Sequence, residues 1–572
     1  MSKALENGLN EQMPRPDRGA WDGFRIGALM SVLVLCALAS WAARDNLNTD
    51  AVAYAQIARH YAAGNWGLAV SGYWGPLVSW LAVPCILIGL EPVLALRLVV
   101  AVSGVLLWIS CSGLLRSAGL SRVAVVCGEF VAAWAIPAWV AQTLSPDLLL
   151  SACLLWAMRI LFLTPVELWT TQAWHAGVAC GIAYWSKGIG GPLGVELMGV
   201  ALAWRVVERG GPELRMVWKT RFKEVIRSLV PCAACFFALA VPWVLILSLH
   251  YGHLTFSTSG RIAHAVVGPG STDRYHPFAR TFHTPEEGRI TSWEDPSRMN
   301  YQYWSPFENS ENAKHQMGLI KENFQTLVVL LGGFELTGLS LVGIAGSLLL
   351  FARACRAGRA VVPGWGLAWL ACGCLSAPYL LVYVKEVDQR YLFAAFPWVL
   401  AGCLGTAEWA AGAGQKPFTD GFSSHSLHRL GLAGVTLIFG LSALPPLWVA
   451  LTGALDPASF LARDLKQRME RAQFRGAIAG SGLIAGGRTG VYLAYWMRSP
   501  WRGDELNPSP EAIVASGAAF YLVSSKSNLI PRLVLDPRFE DLSGRLFSSA
   551  EEAQNYPLRL FAVRSAAVPS LR

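Results

Sequence analysis

Long apolar runs separated by short basic connectors dominate the chain. Runs close to the ~20 residues that a bilayer crossing requires lie near residues 23–43, 93–115, 120–138, 145–164, 170–186, 188–206, 228–249, 326–352, 361–384, 391–409 and 429–452. They predict a polytopic α-helical membrane protein with about eleven, and up to thirteen, transmembrane helices. The first run is longer than the ~7 to 15 residue core of a signal peptide, so it reads as a retained anchor, with cleavage near Ala37 and Ala39 as the alternative. Orientation follows from Arg209, Arg215, Lys219, Arg221 and Lys223, which crowd one connector, because basic loops stay in the cytoplasm. Counting crossings from there places Arg116, Arg122, Arg353, Arg356, Arg359, Lys416 and Arg429 on the same side. Residues 250–325, Lys385 to Arg390 and everything after about 455 fall on the opposite side. A further run, Pro76 to Leu90, is short, contains Pro84 and has no place in this parity. It reads as a re-entrant or interfacial helix.

Three polar stretches interrupt the pattern, all on the predicted outer face. The first, Arg44 to Trp66, contains a helix over Asp50 to Ala63 whose apolar face is Tyr54, Ile57, Ala58 and Tyr61. Thr49 is its expected N-cap, and Asp50 in the first turn either complements the helix dipole or serves chemistry. The second, residues 253–325, mixes His264, Asp273, Arg274, His276, His283 and Trp293 with acidic residues. That composition suits an acceptor-binding or lid loop facing carbohydrate, and equally a solvated surface. The third follows residue 454: a charged helix near Ala462 to Arg475, strands at Gly490 to Trp496, Ala518 to Ser524 and Leu558 to Val563, and helices near Pro510 to Ala515 and Ser548 to Asn555. A small C-terminal extracytoplasmic α/β domain is expected, with no phosphate-binding glycine fingerprint and no catalytic work. The expected division is a cytoplasmic tail (1–22), a transmembrane domain (23–454) with external loops 44–91 and 250–325, and an outer domain (455–572).

Composition agrees: the 572 residues are 53% hydrophobic and only 15% charged, with 24 Trp, beyond the apolar content of a soluble domain. The net charge of +9 sits in connectors and does not indicate nucleic acid. All 12 cysteines lie in or beside apolar runs, which argues against a disulfide framework or cysteine metal site. Charged groups at span ends are costly unless they face a cavity or a partner. Asp147 opens one span, Lys187 closes another and Arg390 precedes a third. Each singly can be a snorkelling cation or an ordinary helix start. With Asp50, however, they place two anions and two cations at one membrane depth, suited to a lipid carrying a phosphate and a polar head. Arg97, Glu129, Glu196 and Glu335 receive no role. Asp50, Asp147 and the loop histidines leave a divalent metal open, since no spacing demands one.

Six segments in order, NTDAVAYAQIARHYAAGNW, GYWGPLVSWL, LSPDLLLSACLLWA, YWSKGIGGP, VPWVLILSL and QRYLFAAFPWVLAG, make the chain resemble the GT-C superfamily of membrane glycosyltransferases. The similar branch holds the protein O-mannosyltransferases and the lipid A aminoarabinose transferase. The resemblance covers most of the chain to about residue 409 and implies a GT-C fold, a polyprenyl-phosphate sugar donor and an acceptor outside the cytoplasm. It assigns Asp50 to the first-loop catalytic acid, Asp147 to the acid opening a later span, and Lys187 to the lysine of an (S/T)-K-G turn. Arg390 and Tyr391 match a basic-aromatic pair near the donor phosphate. Two departures stand out: Ala51 where relatives carry a second acid, and Trp74-Gly75 where they carry a charged residue or histidine before proline. Arg59, Lys187 or Arg274 would then compensate in holding the phosphate.

The resulting expectation is an inverting glycosyltransferase of a bacterial inner membrane that modifies an envelope lipid, glycan or protein. Lys187 and Arg390 would stabilise the leaving phosphate and Asp50 would act as general base. A flippase for lipid-linked sugars, lined by the same charges, and a non-catalytic envelope assembly protein are the alternatives.

Overall fold

A chain that crosses a bilayer must satisfy its backbone internally, so the apolar runs form helices. The computed structural model describes residues 18–208, 214–271, 274–357, 362–381, 388–413, 424–453, 456–482 and 488–564. The tail to residue 17, Arg209, Asp273, Arg359, Lys385 and Lys416 lie outside the described residues. Labelled in chain order, the principal helices are α1 (Arg18–Ala42), α2 (Thr49–Ala62), α3 (Leu77–Leu87), α4 (Pro92–Ser117), α5 (Arg122–Gln142), α6 (Asp147–Met158) and α7 (Trp169–Ser186). They continue as α8 (Gly190–Glu208), α9 (Leu214–Tyr251), α10 (Ser310–Gly332), α11 (Leu339–Arg356), α12 (Ala368–Leu381), α13 (Phe396–Ala413) and α14 (Ser424–Thr452). Among the described residues, seven helical segments, within α1, α4, α5, α9, α11, α12 with its lead-in, and α14, are long and apolar enough to cross a membrane. Helices α6, α7, α8 and α13 occupy the other predicted spans, and α3 is the short apolar helix expected from Pro76 to Leu90.

The run at 326–352 is not one span. Its first part belongs to the more polar α10, its second part is α11, and Gly338 in a left-handed conformation (φ 77°) separates them. The apolar run hides this break because Phe334 fills it, packing on Trp139 and Phe396. Glu335 ties the turn by accepting from the Thr337 and Ser340 amides. Close helix approach uses small residues: a Cβ at Gly177 would overlap the backbone of α9 at Cys232, and one at Gly343 would overlap Cys403 of α13.

Helix α2 is buried over almost its whole length, so the single apolar face read from the sequence understates its role. Its cap is Asn48, not Thr49: the Asn48 side chain accepts from the Ala51 amide at 2.6 Å. Buried Arg97 of α4 fixes the approach to α2 by donating to the carbonyls of Val140, Ala141 and Asn46 at 3.1, 2.9 and 2.8 Å. It thereby uses carbonyls that the end of α5 leaves unpaired. Glu129, at the other end of the same bundle, is enclosed by Ser112, Arg25 and Arg116. Both groups are structural.

After α14 come α15 (Pro457–Arg471), β1 (Ile478–Ser481), α16 (Thr489–Met497), β2 (Trp501–Asp504), β3 (Phe520–Ser524), β4 (Phe539–Asp541) and β5 (Leu558–Val563). The sheet order is β2-β1-β3-β5-β4, parallel around β1 and antiparallel around β5. Residues 490–496, expected as a strand, are helical in α16. Aromatic and branched residues in so short a run suit either element, and here Gly490 meets the Trp501 ring while Tyr492 and Tyr495 are buried. The charged helix begins earlier than expected, at Pro457 behind the Asp456 cap.

The loop between α9 and α10 covers the sheet edge. Phe282 bridges Gly503, the His283 amide donates to Arg502 at 2.6 Å, and the Trp501 amide donates to Ile290 at 2.7 Å. Asp504, buried at this edge, has its carboxyl raised by desolvation to about 6, against an opposing hydrogen bond from the Gly482 amide. A folded pKa above the unfolded value means that folding favours the protonated form. Stability contributed by this group is therefore complete below about pH 4 and declines as pH rises towards 6. Asp504→Asn, which keeps the acceptor oxygen, is expected to stabilise the sheet by on the order of 3 kcal/mol at pH 7 and by almost nothing at pH 4. Hydrogen exchange of the β1 and β2 amides checks this, and an equal effect at both pH values would contradict it.

Candidate active site

Four charged side chains predicted from distant parts of the sequence come together where α2, α6, α7 and α13 end or begin. Arg390, in a short 3-10 turn before α13, is their hub. Its guanidinium meets the Asp50 carboxylate at 2.9 Å, Asp388 at 2.6 Å and Asp147 at 4.0 Å. Asp147, only 1% exposed, holds Lys187 at 2.7 Å and accepts from the Ser145 hydroxyl at 2.6 Å. The Lys187 ammonium also lies 4.5 Å from the Tyr391 ring centre, and the Arg390 guanidinium 5.3 Å from it. Three carboxylates thus share two cations, and burial pushes the Asp388 carboxyl above the usual range.

The two sequence departures have local explanations. Gly75 lies against the end of α7, where a Cβ would overlap the Ser186 carbonyl immediately before Lys187; only glycine permits that approach. Ala51 is fully buried, so a carboxylate there would lose its hydration.

An aromatic group roofs Asp50. The Trp293 indole N–H points at Asp50 at 3.4 Å, and its carbonyl accepts from Trp74 at 2.7 Å. Phe278 stacks on Trp293, with His276 and Tyr73 packed around it. Burial raises the Tyr73 hydroxyl well above its ordinary value, keeping it neutral. The neighbouring Glu294 is buried against His60 of α2 at 3.2 Å and accepts from the Ile290 and Thr291 amides at 2.7 and 2.9 Å. The loop is therefore clamped to the helix that carries Asp50.

A cavity of about 660 Å³ opens beside Asp50, lined also by Arg390, Asp388, Tyr492, Asp456 and Arg488. Of the predicted residues, Asp50 and Arg390 line it, Asp147, Lys187 and Tyr391 cluster behind Arg390, and His276 stands behind Trp293. Arg59 does not join them: it bonds Gln56 at 2.6 Å, pairs with Glu91 at 3.5 Å and faces a different cavity, because it emerges near the opposite end of α2. His264 stacks on Trp304 and bonds Gln316, and Arg274 pairs with Glu322, both contacts reaching α10. Sequence reasoning assigned no role to Trp293, Asp388, Tyr492 or Arg488. Asp388 alone had a local signal, an acid two residues before Arg390. Among the described residues no group of three or more His, Cys, Asp or Glu side chains is arranged to hold a metal ion.

No family model and no curated protein matches the chain in sequence. Solved structures do match in fold. ArnT from Cupriavidus metallidurans bound to undecaprenyl phosphate superposes with a TM-score of 0.52 at 16% identity, covering 97% of this chain and 100% of that one. The same protein in its apo state gives 0.49 at 17% identity, over 94% and 98% of the two chains. The archaeal oligosaccharyltransferase AglB from Archaeoglobus fulgidus, in complex with an inhibitory peptide and a dolichol phosphate, gives 0.46 at 13% identity, over 87% and 69%. The polytopic helical bundle with its small C-terminal sheet domain is thus a GT-C fold.

Arg390→Ala would take the cation from Asp50 and Asp388, leaving Asp147 with Lys187, and is expected to cost about 3–5 kcal/mol, the range for breaking a buried pair. Adding Asp50→Asn should recover part of that loss, with a coupling of about 1–3 kcal/mol. Thermal unfolding of the four members of this cycle in detergent measures the coupling; strict additivity would show that the two groups do not share their charge.

Proposed function

We propose that the protein is an inverting glycosyltransferase that moves a monosaccharide from a polyprenyl-phosphate donor to an acceptor on the outer side of a bacterial inner membrane. The single observation that carries this reading is the convergence of Asp50, Asp147, Lys187 and Arg390 in one ion-pair cluster, of which Asp50 and Arg390 line the cavity. It is supported by a fold shared with ArnT, which binds undecaprenyl phosphate. The acceptor is an envelope lipid, glycan or protein.

In this reading the acceptor hydroxyl or amine attacks the anomeric carbon from the side opposite the phosphate. The new bond to the acceptor forms as the bond from the anomeric carbon to phosphate oxygen breaks, and polyprenyl phosphate leaves with the bonding pair. Asp50, a carboxylate oriented by Arg390 and Trp293, takes the acceptor proton. Arg390 and Lys187 balance the charge on the leaving phosphate, while Tyr391 holds the ammonium of Lys187 in place through its ring. One displacement inverts the anomeric configuration.

The cations are already paired, so a phosphate must exchange with a carboxylate. Asp388 is the one that gives way: it is the carboxyl that burial raises, and taking up a proton would release Arg390. The exposed Arg488 at the cavity wall adds a cation there.

Purified Asp50→Asn protein assayed with polyprenyl-phosphate sugars should lose about 10²–10⁴-fold in turnover, the usual contribution of a general base, while donor affinity stays near that of the parent. Full turnover would remove Asp50 from the mechanism. Asp388→Asn should bind donor more tightly, on the order of tenfold, equivalent to about 1.4 kcal/mol. Weaker donor binding in that variant, measured by titration in lipid nanodiscs, would contradict the exchange.

A further inference from the structure

A second cavity is larger than the one beside Asp50. A cleft of about 1180 Å³ lies at the other end of α2, enclosed by α2, α15, α16 and the segment that leads into β1. Arg59, Lys466, Arg475 and Arg498 line it against only two carboxylates, Glu91 and Glu470. Arg59 and Lys466 are each paired with one of those acids, and Arg475 and Arg498 are exposed. The Asp50 cavity has the reverse balance, with Asp50, Asp388 and Asp456 against Arg390 and Arg488.

The backbone of the cleft is unusual. Among the described residues only three that are not glycine adopt positive φ, and two of them, Gln473 (φ 57°) and Arg498 (φ 51°), line this cleft. Both follow helix ends, where glycine takes the left-handed conformation without the clash a side chain suffers. A cation at an exposed helix end complements the dipole, but that gain is generally smaller than the steric cost. Strain of this kind points to a use for the side chain. Partly exposed Trp496 and Phe474 complete the walls with apolar faces against which a sugar ring packs.

We infer that this cleft binds a phosphorylated saccharide, as the anionic end of the acceptor that is glycosylated at the Asp50 cavity. The identification of the ligand as acceptor rests on the glycosyltransferase reading; the binding site itself does not. Asp50 and Arg59 are nine residues apart on one helix, about 14 Å along its axis at 1.5 Å per residue and half a turn apart around it, so the bound phosphate and the reacting group are held at a fixed separation. Helix α16 joins the two sites, presenting Tyr492 to the Asp50 cavity and Tyr495 and Trp496 to the cleft.

The test is a binding titration of the full chain carrying Asp50→Asn, which keeps the readout independent of turnover. The probes are glucose 6-phosphate, inorganic phosphate, and nanodiscs containing phosphatidylinositol 4-phosphate. Saturable binding of the nanodisc lipid alone supports a lipid-borne saccharide, and binding of glucose 6-phosphate supports a free one. In either case Arg475→Ala with Arg498→Gly should weaken binding at least tenfold. Arg498→Gly also relieves the left-handed strain, so it should melt no lower than its parent, which separates lost recognition from lost folding. Absence of binding by both phosphorylated probes, unchanged affinity in the double variant, or inorganic phosphate binding as tightly as glucose 6-phosphate overturns the proposal. Binding at the cleft without transfer by the parent protein would remove the glycosyltransferase reading and leave the cleft. Transfer by the parent with unaltered binding in the double variant would do the opposite.

Discussion

The sheet-bearing face of this protein depends on one guanidinium. Arg390 reaches carboxylates from α2, from the start of α6 and from its own turn, three segments far apart in sequence. An isolated ion buried at this depth costs several kcal/mol, so none of these helix ends is stable in place without the others. Asp147 could not be 1% exposed without Lys187 and Arg390, and Lys187 is delivered to it only because Gly75 lets the segment before α3 press against the end of α7. The charges are therefore oriented before any ligand arrives, the condition under which electrostatic stabilisation of a transition state is largest.

From that hub the structure is built outward through α2. Arg97 sets the turn that enters it, Asn48 caps it, and the His60–Glu294 pair fastens the long loop to its side. The same loop pairs with β2 at the edge of the sheet, covering backbone groups that would otherwise be open to another strand. Trp293 lies between these two attachments, so its N–H towards Asp50 is positioned by the sheet as much as by the bundle. The small domain, expected to do no catalytic work, thus acts on the site through a loop and through Tyr492.

What the sequence made legible follows from the kinds of interaction involved. Crossing helices announce themselves by length and hydropathy, and the charges at their ends by their cost, which is why Asp50, Asp147, Lys187 and Arg390 could be picked out before their contacts were known. Contacts set by packing left no such signal. Trp293 is one of 24 tryptophans, and its place above Asp50 comes from Phe278 of the same loop and from Trp74, which is remote in sequence. Arg59 looked equivalent to Arg390 as a phosphate ligand, but nine residues of helix carry it to another cavity. The turn at Gly338 and the helix α16 were misread for a related reason: apolar composition records burial, not whether the backbone turns, coils or extends.

The separation set by α2 bears on how two anionic substrates could be held together. A donor phosphate near Arg390 and an acceptor phosphate near Arg59 would repel each other strongly if they shared one cavity. About 14 Å of intervening helix exceeds the screening length of roughly 8 Å at physiological ionic strength. Each phosphate would then interact mainly with its own cations, and the two would hardly sense one another. The helix that carries the base also keeps the charges apart, so placing Asp50 at one end and Arg59 at the other lets a single rigid element serve both ends of an acceptor.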